Sequence, residues 1–353
     1  MAEIKLENVS KRYGDVAALD SANLTIEDGS FTSVFGPPSS GKSVLLRVLL
    51  GLEPVDGGRI AIDGKDVTDA SPNERNLSMV FQNLALFPQL SAQENIVFPL
   101  KRRAAREEDI NARLDQVSSV LSIAHILHKK PAALSGGERQ RVAIGRALIR
   151  DASAYMMDEP IAALDARLRD VMRVELKRLQ IEQGRTFIYV THDCEEAMSV
   201  ADRMAILEAG RIVQVGKPDD VYARPATLYV AKLVGSPGIN VLEGEGNDGS
   251  IASVLGLVNG QTGERLERGQ KVHVALRPEA LQLGDPADAK LKGQISDVER
   301  LGGFSVITVN NGEAQVRAIA SGDAPHRIGE HVGVTVDPAG LHLFNIEDGA
   351  RIG

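Results

Sequence analysis

The sequence predicts an α/β domain built on a largely parallel sheet, followed by a small all-β domain. Two observations point there. Up to about Gly235, short apolar runs alternate with longer amphipathic stretches. After Gly235-Ser236-Pro237-Gly238, glycines become frequent and short alternating runs follow one another. Strands that alternate with helices form a parallel sheet covered on both faces, whereas closely spaced alternating strands form a sandwich or barrel. The expected domains are therefore 1–235 and 236–353, a comfortable division for 353 residues.

Each element has its own signal. The chain opens with an alternating, strand-like Ile4-Lys5-Leu6-Glu7 and shows no apolar signal core, so secretion is not expected. Phe31–Phe35, Leu77–Phe81, Ala154–Met157 and Thr186–Val190 read as buried strands. Leu164, Leu168, Val171, Met172, Leu176 and Leu179 recur at helical spacing, and Gly184 stops that helix. The charge-rich Arg102–Glu108 reads as a solvated helix face. In the second domain, Lys271–Leu276, Phe304–Val309 and Val332–Val336 read as strands.

Composition excludes several classes. Lys plus Arg number 40 against 48 Asp plus Glu, and the stretch 236–353 alone holds 10 against 16. That acidic balance, with no Trp and 4% aromatics, argues against a nucleic-acid partner. The single cysteine, Cys194, excludes a disulfide framework and a multi-cysteine zinc site, and suits a reducing compartment. The most apolar run, Val44–Leu52, is broken by Arg47 and falls far short of the about 20 residues a membrane span needs. A cytoplasmic chain is expected.

Chemistry first appears at Gly36-Pro37-Pro38-Ser39-Ser40-Gly41-Lys42-Ser43, which fits G-x-x-x-x-G-K-[ST] between an expected strand and a helix starting near Val44. Glycines let backbone N–H groups close around phosphate oxygens, and the helix start adds a favourable dipole. Lys42 would reach the β- and γ-phosphates, and the Ser43 hydroxyl would ligate Mg²⁺. Asp158 and Glu159 end another buried strand, 116 residues beyond Lys42, at the sheet edge where ligands bind. Asp158 would hold Mg²⁺, and Glu159 could polarise an attacking water; alone, such a pair is more often a turn.

Leu134-Ser135-Gly136-Gly137-Glu138-Arg139-Gln140-Arg141 lies 23 residues before Asp158 when counted from Ser135. Ser135 with Glu138 is a capping box, and a capped helix with two glycines offers bare N–H groups to a phosphate. This segment closely resembles the signature motif of the ATP-binding cassette ATPases, a P-loop NTPase family with a parallel-rich sheet and a helical subdomain. The resemblance runs from about residue 3 to 235 and implies further roles. Tyr13 would stack on adenine, Gln82 would reach Mg²⁺ and the attacking water, and His192 would contact the γ-phosphate. Ala163-Leu164-Asp165 would cross a dimer interface, where Ser135, Gly136, Gly137 and Glu138 face the ATP of a second subunit. ATP and Mg²⁺ are the implied ligands, with Glu159, His192 and Gln82 as the catalytic set.

The segments Leu233–Asn240 and Leu276-Arg277-Pro278-Glu279 resemble those of the maltose and glycerol-3-phosphate type of importer ATPase, in which an OB-like regulatory and dimerisation domain follows the cassette. The resemblance implies an ATPase subunit, more readily homodimeric than heterodimeric, held at the cytoplasmic face of the membrane by two permease subunits. An external binding protein would deliver a sugar, polyol or sugar phosphate. Importers of polyamines, iron, sulfate or molybdate share much of this pattern and stay open, as does a soluble cassette ATPase. The departures are Pro37-Pro38-Ser39-Ser40 in place of the usual small-residue filling, Val44 where Thr is common, Glu138 for Gln, and Ala162 for a frequent Ser. From Gln82 to Phe98 the chain is rich in apolar residues, with Leu84, Leu86, Phe87 and Leu90 either core or a groove for a permease helix.

Overall fold

The computed structural model describes residues 2–162, 164–247, 250–253, 256–259, 266–287, 289 and 291–352. It divides into two compact units, Met1–Pro218 and Asp219–Gly353.

In the first unit, β1 (Ile4–Tyr13) and β2 (Val16–Ile26) form a hairpin, and β3 (Phe31–Phe35) leads into α1 (Lys42–Leu50). Strands β4 (Gly57–Ile62) and β5 (Lys65–Asp66) precede the one-turn α2 (Pro72–Arg75) and β6 (Leu77–Val80). Helices α3 (Ala92–Arg102), α4 (Glu107–Val120) and α5 (Gly136–Leu148) come next. The unit continues through β7 (Ala154–Asp158), α6 (Ala166–Gln183), β8 (Thr186–Thr191), α7 (Cys194–Val200), β9 (Arg203–Glu208) and β10 (Arg211–Gly216). One sheet has the order β2-β1-β4-β5, and the other β10-β9-β3-β8-β7-β6. In the larger sheet every pairing is parallel except β9 with β10.

The strand period of two divides the larger sheet between two cores. Ala154, Met156, Ile188 and Val190 join α1 and the smaller sheet, through Leu45, Leu49, Ile4 and Ile60. Tyr155, Met157, Phe187 and Tyr189 join the helices, through Ile96, Leu114, Val142 and Leu176. Because both faces are covered, β3, β7 and β8 are buried at every position, which is why they read as unbroken apolar runs. The register pairs Phe35 with Thr191 and Asp158 with Val190, so β3, β7 and β8 end together at one sheet edge. One expectation changes in part: Arg102–Glu108 is solvated but is not one helix face, since Arg102 ends α3 while Glu107 and Glu108 open α4. It spans the break between α3 and α4, with Ala104 at φ +51°.

The second unit follows α8 (Pro218–Ala223) with α9 (Leu228–Leu233), β11 (Asn240–Asn247), β12 (Ser250–Ser253), β13 (Gly256–Asn259) and β14 (Lys271–Leu276). Then come β15 (Leu281–Gly284), β16 (Leu291–Arg300), β17 (Phe304–Asn310), β18 (Gln315–Ser321), β19 (His331–Val336), β20 (Leu341–Asn345) and β21 (Arg351–Ile352). Two antiparallel sheets, β13-β12-β11-β14-β20-β21 and β15-β19-β16-β17-β18, enclose one core that includes Val274, Leu291, Ile307 and Val334. The small all-β, OB-like domain is present.

The division falls earlier than the expected boundary near Gly235. Leu228 and Ala231 of α9 pack with Ile239, Ala275 and Phe344. Buried Arg277 donates to the carbonyls of Ala231, Val234 and Tyr222 at 3.2, 2.5 and 2.9 Å, which ties the helical segment to the β-strands after it.

Candidate active site

Three strand ends, of β3, β7 and β8, converge at one edge of the sheet. After β3, the loop Gly36–Gly41 turns into α1, with Gly41 as N-cap at φ +107°. A Cβ there would lie 2.3 Å from the Ala18 carbonyl oxygen, so position 41 excludes a side chain on both counts. The Lys42 ammonium folds back along the loop and donates to the carbonyls of Gly36 and Pro37, at 2.8 Å each. Burial pushes the Lys42 amine below its ordinary value, while Glu159 and Asp158 pull against that shift. Pro37 and Pro38 supply no N–H, but the Ser40 N–H still reaches the Pro37 carbonyl at 3.3 Å and closes the turn.

Asp158, the last residue of β7, is buried, and desolvation pushes its carboxyl above the usual carboxylate range against a hydrogen bond from Ser43. A buried carboxylate beside a hydroxyl, with few charges to neutralise it, fits a divalent cation that takes hard oxygen ligands. Among the described residues no group of three or more His, Cys, Asp or Glu side chains is placed to hold a metal. A cation here would draw its remaining ligands from phosphate oxygens and water, the usual habit of Mg²⁺.

Glu159 follows in a left-handed conformation, φ +48°, with its N–H bonded to the Val190 carbonyl at 2.9 Å. That turn aims its carboxylate sideways. One oxygen lies 2.7 Å from His192 Nδ1, and the other accepts from Gln82 Nε2 at 3.0 Å. Gln82, Glu159 and His192 come from three separate loops after β6, β7 and β8. The expected catalytic set is therefore one hydrogen-bonded cluster.

The remaining expected residues occupy definite places. Ser135 caps α5 through a reciprocal box: the Glu138 N–H reaches Ser135 Oγ at 3.2 Å, and the Ser135 N–H reaches Glu138 Oε2 at 2.7 Å. Gly136 and Gly137 open the helix, and a Cβ on Gly137 would stand 3.0 Å from the Leu164 and Leu168 side chains. Asp165 caps α6 by accepting from the Leu168 N–H at 2.9 Å, while Ala163 lies outside the described residues. Tyr13 is 47% exposed, with its hydroxyl bonded to Glu53 and the Lys11 ammonium 5.7 Å from its ring centroid. Val44 packs against the core beneath α1. Leu84 and Leu86 pack on the helical core, while Phe87 meets Phe98 at 4.6 Å between centroids; all three stay partly exposed.

Sequence reasoning missed two residues of α5. Gln140 is buried and donates to the Pro160 carbonyl, and Arg146 binds the loop that follows Gln82. Both donate to backbone carbonyls far along the chain, which no spacing pattern encodes.

Residues 19–162 match the family model described as ABC transporter, and residues 274–344 match the TOBE domain. The maltose/maltodextrin import ATP-binding protein MalK of Escherichia coli (strain K12) is 44% identical over 318 residues, covering 88% of this chain and 86% of that protein. Its counterpart in Salmonella typhimurium (strain LT2) is 45% identical over 309 residues, with coverage of 86% and 84%. The chain belongs to the ABC transporter family. Among solved structures, the ATP-binding cassette MJ0796, in a dimeric post-hydrolysis state bound to ADP and Pi, superposes with a TM-score of 0.57 at 33% identity. That match covers 61% of this chain and 98% of the other. As a member of the ABC family the chain is an ATP-binding, ATP-hydrolysing transporter subunit. It carries the cassette fold followed by the all-β domain that the signature and the later segments implied.

Proposed function

We propose that this ABC ATPase powers import of a maltose-like carbohydrate, with Glu159 as the group that prepares water for attack on the γ-phosphate. The carrying observation is the Glu159 carboxylate, held by Gln82 and His192 beside the loop of Lys42 and the buried Asp158. Ser43 and Asp158 would hold Mg²⁺, with Gln82 completing its reach, and the ion would supply charge neutralisation between phosphate oxygens. Gly36, Pro37, Pro38, Ser39, Ser40 and Gly41 wrap the phosphates, Lys42 offsets their charge, and Tyr13 offers an exposed ring to adenine. Val44 supports the helix start from beneath.

Ser135, Gly136, Gly137 and Glu138 open α5 and serve the nucleotide of a second copy. Two copies related by a two-fold axis then share two ATP sites, with Asp165 near the crossing. His192 contacts the γ-phosphate from the Glu159 cluster. The all-β unit adds contacts between copies and regulation. No described helix is long and apolar enough to cross a membrane, so two permease subunits would hold the pair at the cytoplasmic face and an external binding protein would present the solute. The partly exposed Leu86 and Phe87 mark the groove that receives a permease segment.

The test is genetic and biochemical together. In a strain lacking the gene, uptake of labelled maltose, a glycerol phosphate and a polyamine is measured with the wild-type gene and with Glu159→Gln restored. Maltose uptake that returns with the wild type alone supports the reading. Restored polyamine uptake without sugar uptake overturns the substrate, and wild-type uptake from the Glu159→Gln gene overturns the role of Glu159.

A further inference from the structure

We propose that Arg146 is a positioning residue for hydrolysis: its guanidinium fixes the loop after Gln82 to the helix that begins at Ser135, so that Gln82 is set by the state of that helix. This rests on the reading of Gln82 and Ser135 given above.

Arg146 stands in the last turn of α5. Its Nη1 donates to the Ala85 carbonyl and its Nη2 to the Leu84 carbonyl, at 2.6 Å each. A planar guanidinium is suited to two neighbouring acceptors at once, whereas an ammonium is a single point of charge. Leu84 and Ala85 are consecutive non-glycine residues in the left-handed region, at φ +60° and +46°. Such residues persist only where the surroundings over-determine them. Here the surroundings are identifiable. Arg146 holds both carbonyls and lies 5.7 Å over the Phe87 ring. Fully buried Asn95 accepts from the Phe87 N–H at 2.8 Å and donates to the Phe87 carbonyl at 3.1 Å.

Gln82 lies two residues before this clamp, with its amide on Glu159. The same helix also holds the other partner, because Gln140 of α5 donates to the Pro160 carbonyl and lies 3.5 Å from that of Glu159. Both members of the Gln82–Glu159 pair are therefore seated on α5, which Ser135 caps and Gly136 and Gly137 open. A shift of α5 when its start engages a phosphate moves both seats together. Partial burial pushes the Arg146 guanidinium below its ordinary value, and its two bonds lie at the edge of the helical core rather than free in solvent.

The experiment is a double-mutant cycle on the full chain, combining Arg146→Met with Gln82→Ala and measuring ATP turnover, KM and equilibrium ATP affinity. Misplacing a catalytic group by about 1 Å costs up to about a hundredfold, so Arg146→Met is expected to lower kcat by about ten- to a hundredfold. ATP affinity should stay within about threefold, because the Lys42 loop is untouched. In the Gln82→Ala background the further loss should shrink to below about threefold, since neighbours in one network are non-additive. An equal loss in both backgrounds would overturn the proposal, because a general loss of fold does not depend on Gln82. Should the methionine variant fail to fold, Arg146→Lys keeps stem and charge but loses the fork; wild-type turnover there also overturns it. If Gln82→Ala alone turns over like wild type, the role of Gln82 has failed. If Gln82→Ala is slow and the cycle additive, only the role of Arg146 has.

Discussion

Replacing Glu159 by glutamine separates binding from chemistry. The side chain keeps its size, and its two neighbours sit at 2.7 Å (His192 Nδ1) and 3.0 Å (Gln82 Nε2). An amide oxygen can accept from Gln82 while the amide nitrogen donates to the other tautomer of His192, so the cluster can persist with its protons rearranged. What disappears is the basic oxygen. A positioned general base contributes about 10²–10⁴-fold, or about 3–5 kcal/mol of barrier, and turnover should fall by that factor. Binding should move the other way. Glu159 places negative charge near Lys42 and Asp158, where the γ-phosphate would sit, so its loss leaves ATP affinity unchanged or strengthens it by up to about tenfold at short range. Phosphate release under saturating ATP and equilibrium binding of labelled ATP provide the two numbers. Turnover within threefold of wild type would falsify the assignment of Glu159, and a large loss of affinity would show that the glutamate acts in binding.

Three further expectations follow from other parts of the molecule. Gly137→Asp should abolish hydrolysis while ATP still binds through the Lys42 loop; the new Cβ meets only the ends of Leu164 and Leu168, so normal hydrolysis would reduce the Ser135 box to a helix cap. Burial depresses the His342 imidazole from 6.5 to about 4, so the unfolded state binds the extra proton first. Stability is full above pH 6.5 and declines towards pH 4, by about 3 kcal/mol across the window. Urea titrations at pH 7 and 4.5 should lose that slope in His342→Leu, and an unchanged slope would refute the cause. The double change Leu86→Ser and Phe87→Ser should leave ATPase activity of the isolated chain but reduce solute uptake; unfolding of the isolated chain would instead make these side chains structural.

What could be read beforehand followed from what local sequence encodes. Strands buried on both faces announce themselves as apolar runs, which is why Ala154–Met157 and Thr186–Val190 were legible to within a residue at the far end. The loop of Gly36 and Gly41 was legible because two backbone positions there exclude a Cβ. The unit boundary was not, because Leu228 and Ala231 show helical spacing whichever core receives them. Arg102–Glu108 was misread since charge marks solvation without distinguishing a helix from a break between two. Arg146 stayed hidden among ordinary basic residues because its partners are carbonyls 61 and 62 positions away.

The two prolines of the phosphate loop carry a consequence for the entropy of nucleotide binding. With φ fixed at positions 37 and 38 and Lys42 already bonded to the Gly36 and Pro37 carbonyls, the loop has few alternative shapes to abandon when a triphosphate arrives. A pre-shaped loop of this kind loses less conformational entropy on association, so more of whatever contact energy the loop makes is left to hold its ligand.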